Sequence, residues 1–200
     1  FEEVCDAACV LLPIGASDEV GLWGYIAACE ELKEDFAQHG LTPDYLVTAT
    51  GSGGTQAGLI VGSQLFDLPA EVRAFNVSDS ASYFDRKIRE DVLLWKQRYN
   101  MEIDEKALDI QTVEGYLGEA YGVAGPEIFD LIAELGRTEG LLLDPVYTGK
   151  AFYGMVSELA KGEAGHLPGA TQVVFVHTGG LFGLFPQQHG FACNEGHSGH

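Results

Sequence analysis

Five consecutive residues, Gly51-Ser-Gly-Gly-Thr55, combine three glycines with two hydroxyls and carry no charge. They follow Tyr45-Leu-Val-Thr-Ala-Thr50, which reads as a buried strand, and precede the largely apolar run from Gln56 to Phe66, which reads as a helix. A glycine-rich turn at such a junction aims backbone N–H groups at an anion, and the helix dipole adds to the attraction. With no Lys or Arg in the turn, an anion here has to be held by main-chain donors and the Ser52 and Thr55 hydroxyls. That favours a phosphate that is held over one that is transferred.

Three chemistries use such a loop. A mononucleotide loop needs a Gly-Lys-Ser/Thr ending that is absent, and a dinucleotide fingerprint needs glycine where Gln56 stands. A pyridoxal-phosphate cradle needs only small residues and N–H donors in front of a helix, and the loop supplies both. The alternative is that Gly51, Gly53 and Gly54 do no more than turn the chain.

The elements that must position the loop alternate. Val10 to Ile14 reads as a short strand, and Gly15-Ala-Ser17-Asp18 as a turn with a capping residue. Apolar positions from Leu22 to Phe36 recur at three and four, so a helix is expected over Glu19 to His39, stopped by Gly40. Val72 to Val77 reads as a strand and Ser78-Asp-Ser80 caps a helix reaching about Tyr99. Met101 to Gln111 is acidic and weakly patterned. Helices are expected over Pro126 to Leu135 and Thr148 to Ala160, with an apolar stub at Leu141 to Leu143 and a β-branched strand over Thr171 to His177. Strands alternating with helices predict an α/β fold of three layers, a mostly parallel twisted sheet with helices on both faces. Ligands of such sheets bind beyond the carboxyl ends of the strands, where the loops after Thr50 and Val77 lie.

Composition narrows the partners. Thirty acidic against 11 basic residues among 200 give a formal net charge of −19, which repels nucleic acid and anionic membranes. No window is apolar enough to span a membrane and no signal peptide is evident, so the cytoplasm is the default compartment. Cys5, Cys9, Cys29 and Cys193 lack the spacing of a zinc site, so packed, reduced thiols and no metal are expected. The Gly- and His-rich end, 189–200, reads as a disordered tail.

Three runs belong together: Thr50-Gly-Ser-Gly-Gly-Thr-Gln-Ala-Gly58, Leu143-Asp-Pro-Val-Tyr-Thr-Gly-Lys150 and His177-Thr-Gly-Gly-Leu-Phe-Gly183. All end or follow expected strands, so they can meet at one sheet edge. Over about residues 8 to 186 they resemble, in order, motifs of the D-cysteine desulfhydrase and 1-aminocyclopropane-1-carboxylate deaminase family of pyridoxal-phosphate enzymes. Pro13-Ile-Gly-Ala-Ser17 through Gly24-Tyr25 is also similar to that family's Gly-Gly-Ser-Asn stretch, with Ala16 and Asp18 as departures.

The resemblance implies a fold type II enzyme in which Gly51, Ser52, Gly53, Gly54 and Thr55 wrap the phosphate of pyridoxal 5'-phosphate. Tyr147 would lie against the cofactor ring, Tyr121 would be a second active-site tyrosine, and Thr148 would face the pyridine nitrogen. Deaminases are expected to carry a carboxylate at the position of Thr148 and leucine at that of Thr178. The two threonines therefore imply β-elimination from D-cysteine, giving pyruvate, sulfide and ammonia, over cyclopropane ring opening. Sibling readings are a cysteate sulfo-lyase and a non-catalytic phosphate- or pyridoxal-binding module. A small amino-acid substrate and a homodimeric full-length enzyme are implied.

The family joins its cofactor to a lysine in an N-terminal segment, beside an Asn-Lys motif and ahead of a serine-rich substrate loop. Neither has a counterpart here. Of the six lysines only Lys150 lies inside a motif, and the resemblance assigns it to a Gly-Lys helix start. Residues 1–188 are therefore expected to be the C-terminal portion of a longer enzyme, inactive alone.

Overall fold

Every residue of β1, Tyr45–Thr50, is buried, because this strand has a neighbour on each edge and helices on each face. The computed structural model describes residues 12–191. Its sheet runs β3-β2-β1-β4, with β2 at Glu71–Asn76, β3 at Gln111–Val113 and β4 at Val173–Phe175, and every pairing is parallel. Parallel strands require crossovers, and four helices lie in them, α2 Gly54–Leu65, α3 Ala81–Tyr99, α4 Pro126–Thr138 and α5 Thr148–Ala160, while α1 Leu22–His39 precedes β1.

Side chains alternate across β1 and divide the core. Leu46 packs with Leu22, Ile26 and Cys29 of α1, Leu59 and Ile60 of α2, and Phe84, Ile88 and Trp95 of α3. Tyr45, Val47 and Ala49 face the other way, onto Ala151 and Met155 of α5. The result is the expected α/β architecture, a parallel sheet between two helical layers.

Several boundaries differ from the sequence reading. The strand expected at Val10 to Ile14 is not formed by its described residues: Leu12 and Ile14 are exposed, and a 3₁₀ turn runs over Ile14–Ala16. Helix α1 starts at Leu22, later than expected, because the Asp18 carboxylate accepts the amides of Val20 and Gly21 and so spends a turn on capping. The expected strand at Thr171 to His177 contracts to three residues, since Asp44 accepts the Thr171 and Gln172 amides in place of ladder bonds. Strand β3 was masked by its acidic approach and is held by the buried Gln56, whose side-chain amide donates to the Gln111 carbonyl and the Thr112 hydroxyl. Leu141 to Leu143 forms no strand. Of the expected tail, His189 to Phe191 are ordered, with Phe191 stacked edge-on against Phe129, and 192–200 lie outside the described residues together with Cys5, Cys9 and Cys193.

Helices α1 and α2 approach most closely at Gly58 and Gly62, one turn apart. A Cβ on Gly58 would stand 2.6 Å from the Tyr25 Cβ and 2.8 Å from the Leu22 carbonyl oxygen, and one on Gly62 2.7 Å from the Cys29 Sγ. The second contact leaves Cys29 buried, and burial pushes its thiol up to about 11, which makes it a packing group and not a nucleophile. Because the Leu22 carbonyl is backbone, Gly58→Ala has to separate the helices. A loss of roughly 1–3 kcal/mol is expected from overpacking, outweighing the helix-propensity gain of about 1 kcal/mol. The denaturant midpoint of G58A against the parent chain measures it.

Candidate cofactor site

The start of α2 is built to leave amides free. Gly53 takes a left-handed φ of +92°, turning the chain from β1 into the helix within three residues. The Gly53 carbonyl accepts the Ala57 amide at 2.8 Å, and the Gly54 amide donates to the Ser17 hydroxyl at 3.1 Å. The amides of Ser52, Gly53, Thr55 and Gln56 have no partner among the described residues. Four converging donors at the positive end of a twelve-residue helix form an anion cradle without a cation in the loop.

Neighbouring segments fix this loop. Ser17 donates from Oγ to the Ser52 hydroxyl at 2.6 Å. Its own carbonyl accepts the Lys87 ammonium at 3.1 Å, and Lys87 pairs with the buried Asp91 of α3. From beyond β2, the Ser78 hydroxyl donates to the Gly51 carbonyl at 2.8 Å. The sequence reading placed Ser17 in a turn and a motif and Ser78 in the cap of α3, and gave neither a part in holding the loop. Their positions beside two strand ends were the available signal.

A cleft of about 690 Å³ opens at the carboxyl ends of the strands and is lined by Gly51, Ser52, Thr55, Tyr121, Tyr147 and Thr178, among others. All three quoted runs therefore contribute to one cavity. Tyr147 stands over the glycine loop so closely that a Cβ on Gly51 would meet its ring at 2.8 Å. Its hydroxyl is hydrogen bonded to that of Tyr121, and the rings meet edge-to-face with centroids 5.9 Å apart. Burial, then the bond to Tyr121, push the Tyr147 phenol up to about 12, so it keeps its proton across the neutral range. Thr178 is exposed to the cleft, with no hydrogen-bond partner for its hydroxyl among the described residues.

Three of the expected site residues stand behind the surface of the cleft. Gly53 and Gly54 do not line the cleft: Gly53 contributes its turn and its amide, and Gly54 is packed where a Cβ would lie 2.6 Å from the Ser17 Oγ. Thr148 does not face the cavity either. It is fully buried, its hydroxyl donating to Asp144 Oδ1 at 2.7 Å and accepting the Asp144 amide at 2.9 Å. The carboxylate in the wall is Asp144, which sequence reading passed over. Its oxygens accept the amides of Val146, Tyr147 and Thr148 at 2.8 Å as well as the Thr148 hydroxyl, capping α5. An Asp three and four residues ahead of a helix start was the available signal. Gly180, at φ +92°, closes over this carboxylate, where a Cβ would lie 2.8 Å from its Oδ1.

Lys150 is absent from the cleft. Its ammonium is buried and donates to the carbonyls of Leu117 at 2.6 Å and Ala120 at 3.0 Å. The residues present fit the phosphate and one ring face of pyridoxal phosphate, through open amides and a tyrosine wall. No lysine is among the cleft-lining residues to join the cofactor covalently.

A parallel sheet, a glycine loop at a helix start and an aromatic wall are the parts of a pyridoxal-phosphate site, and pyridoxal-phosphate dependent enzymes are the family to which this chain belongs: the family model matches residues 4–179. Among its relatives is a putative 1-aminocyclopropane-1-carboxylate deaminase of Pyrococcus abyssi, 38% identical over 175 residues, covering 88% of this chain and 51% of that protein. A bifunctional D-cysteine desulfhydrase/1-aminocyclopropane-1-carboxylate deaminase, mitochondrial, of Arabidopsis thaliana is 35% identical over 177 residues, covering 88% and 42%. A solved structure of an ACC deaminase homologue superposes with a TM-score of 0.74 at 31% identity, covering 89% of this chain and 51% of that one. The chain thus spans about half the length of the curated relatives it matches.

Ser17 is the joint between the cradle and the rest of the fold. Ser17→Ala leaves the Gly54 amide unpaired and frees the Ser52 side chain. Pyridoxal phosphate is expected to bind about tenfold more weakly to S17A, equivalent to ~1.4 kcal/mol, and the thermal midpoint to fall by a few degrees because the buried Gly54 amide loses its partner. Titration followed by quenching of tryptophan fluorescence checks both the affinity and its specificity for the phosphorylated form over pyridoxal.

Proposed function

We propose that this chain is the cofactor-cradling portion of a pyridoxal-phosphate-dependent lyase that eliminates sulfide from D-cysteine, consuming water and releasing pyruvate and ammonia. The single observation that carries the reading is the polarity of the cleft. Thr178 offers an uncommitted neutral hydroxyl, while both oxygens of Asp144 are already engaged with the start of α5. No uncommitted carboxylate is then offered to the cofactor ring from this wall. Such a site suits departure of a good leaving group such as a thiol better than rupture of a carbon–carbon bond.

When bound, pyridoxal phosphate supplies the sink for the electrons released at the substrate Cα. The amides of Ser52, Gly53, Thr55 and Gln56, which have no partner among the described residues, would hold its phosphate. Tyr147, which lines the cleft above Gly51, would offer its aromatic face to the ring and, remaining protonated, could donate a hydrogen bond at its phenol oxygen. Tyr121 fixes the direction of that phenol by pairing with it. The closely packed Gly180 keeps the third loop against Asp144 and narrows the water-accessible mouth.

Ring opening of the cyclopropane acid is the second reading, favoured by the names of the Pyrococcus and Arabidopsis relatives. Thr148 is buried with its hydroxyl on Asp144, so the specificity reading rests here on Thr178. The full-length gene product, supplied with pyridoxal phosphate, decides between them: sulfide release from D-cysteine is expected to exceed ammonia release from 1-aminocyclopropane-1-carboxylate. Thr178→Leu is expected to reduce sulfide release at least tenfold. Faster turnover of the cyclopropane acid by the parent protein would reverse the assignment.

A further inference from the structure

Lys150 is a buried cation that the site described so far does not use. It is 1% exposed, and no carboxylate lies within ion-pairing distance among the described residues. Burial lowers its affinity for a proton, with Asp144 acting weakly in the other direction. A buried ammonium needs compensation by polar groups, and here two carbonyls provide it, those of Leu117 and Ala120. These carbonyls belong to the segment that ends in Tyr121.

That segment has little else to hold it. It contains no strand or helix beyond a single bridge between Ala120 and Val123, and Gly118 and Gly122 on either side of Tyr121 take left-handed φ values of +74° and +79°. Upstream, Tyr116 is fastened to the buried Glu158, which also accepts Lys161 and the His166 amide. Between that anchor and α4, apart from the Tyr121–Tyr147 hydroxyl contact itself, the Lys150 ammonium is the polar tie to the body of the protein among the described residues. Lys150 lies one helical turn beyond Tyr147 on α5. The same helix start therefore carries one phenol of the cleft directly and holds the backbone beside the other.

We propose that Lys150 is a positioning residue: by binding the Leu117 and Ala120 carbonyls it sets Tyr121 against Tyr147 and thereby fixes the phenol pair of the cleft. Its action passes through the backbone next to Tyr121 and not through its charge. The two routes differ in sign. Removing a nearby positive charge alone would make the Tyr147 phenol harder to ionise, whereas releasing Tyr121 removes a hydrogen bond and a neighbour that both raise it. Asp144 is the other charged group facing Tyr147, and it is present in either case.

The experiment is carbon-13 NMR of tyrosine-labelled full chain, without cofactor, so it is independent of the proposed activity. Resonances are assigned with Tyr121→Phe and Tyr147→Phe. In Lys150→Met the inter-ring contact between Tyr121 and Tyr147 is expected to disappear, and the Tyr147 titration midpoint to fall toward the ordinary phenol value. In the Tyr121→Phe background Lys150→Met should produce no further change in Tyr147, because the route through Tyr121 is already cut. Lys150→Arg, which keeps the donors, should restore the contact. A rise of the midpoint in Lys150→Met, or equal shifts with and without Tyr121, would overturn the proposal. Should Lys150→Met not fold, Lys150→Gln, neutral and with a shorter reach, takes its place under the same two criteria.

Discussion

Four backbone amides at the start of α2 stand beside the cleft with no partner among the described residues, and the surrounding structure is arranged around keeping them open. The first amides of any helix lack an intrahelical partner, and a neighbouring side chain or loop can collapse onto them. Here that collapse is prevented from three sides. Ser17 takes the one amide that would otherwise crowd the loop and ties down Ser52, Ser78 holds the Gly51 carbonyl, and Tyr147 occupies the space above Gly51. Each restraint comes from a different segment, so the cradle exists only once the sheet has assembled.

The close contact of α1 and α2 serves the same end. With glycine at 58 and 62, α2 lies against α1 at backbone distance, which brings Ser17, just ahead of α1, to the mouth of the glycine loop. Acting through Lys87, Asp91 of α3 steadies Ser17 from behind. Asp144 plays the equivalent part for the opposite wall, capping α5 so that Tyr147 is presented at its first turn while Gly180 closes over the carboxylate. A cleft at the carboxyl ends of parallel strands is thus shaped by capping groups more than by its apolar lining.

How much of this was legible in the sequence depends on the range of the interaction. The glycine loop, the ends of β1, the Ser80 cap of α3 and the span of α5 follow from local pattern, and the structure reproduces them. The α/β class follows from their alternation. Strand β3 escaped detection because it is three residues long and owes its place to Gln56, 55 residues earlier. A motif fixes the order of residues and not the direction of a side chain, and that of Thr148 is turned onto the carboxylate of Asp144. Family resemblance identified the right loops; only coordinates separate the residues that face the cleft from those that hold it open.

The central claim is that the open amides of α2 receive a phosphate. Backbone amide NMR of the chain titrated with pyridoxal phosphate, and in parallel with inorganic phosphate, tests it most directly. The account predicts that both ligands produce their largest downfield shifts at Ser52, Gly53, Thr55 and Gln56, with Gly54 nearly unmoved because Ser17 already holds it, and that only pyridoxal phosphate perturbs Tyr147. Shifts of similar size scattered over the surface, or a response at Gly54 with none at its four neighbours, would contradict it.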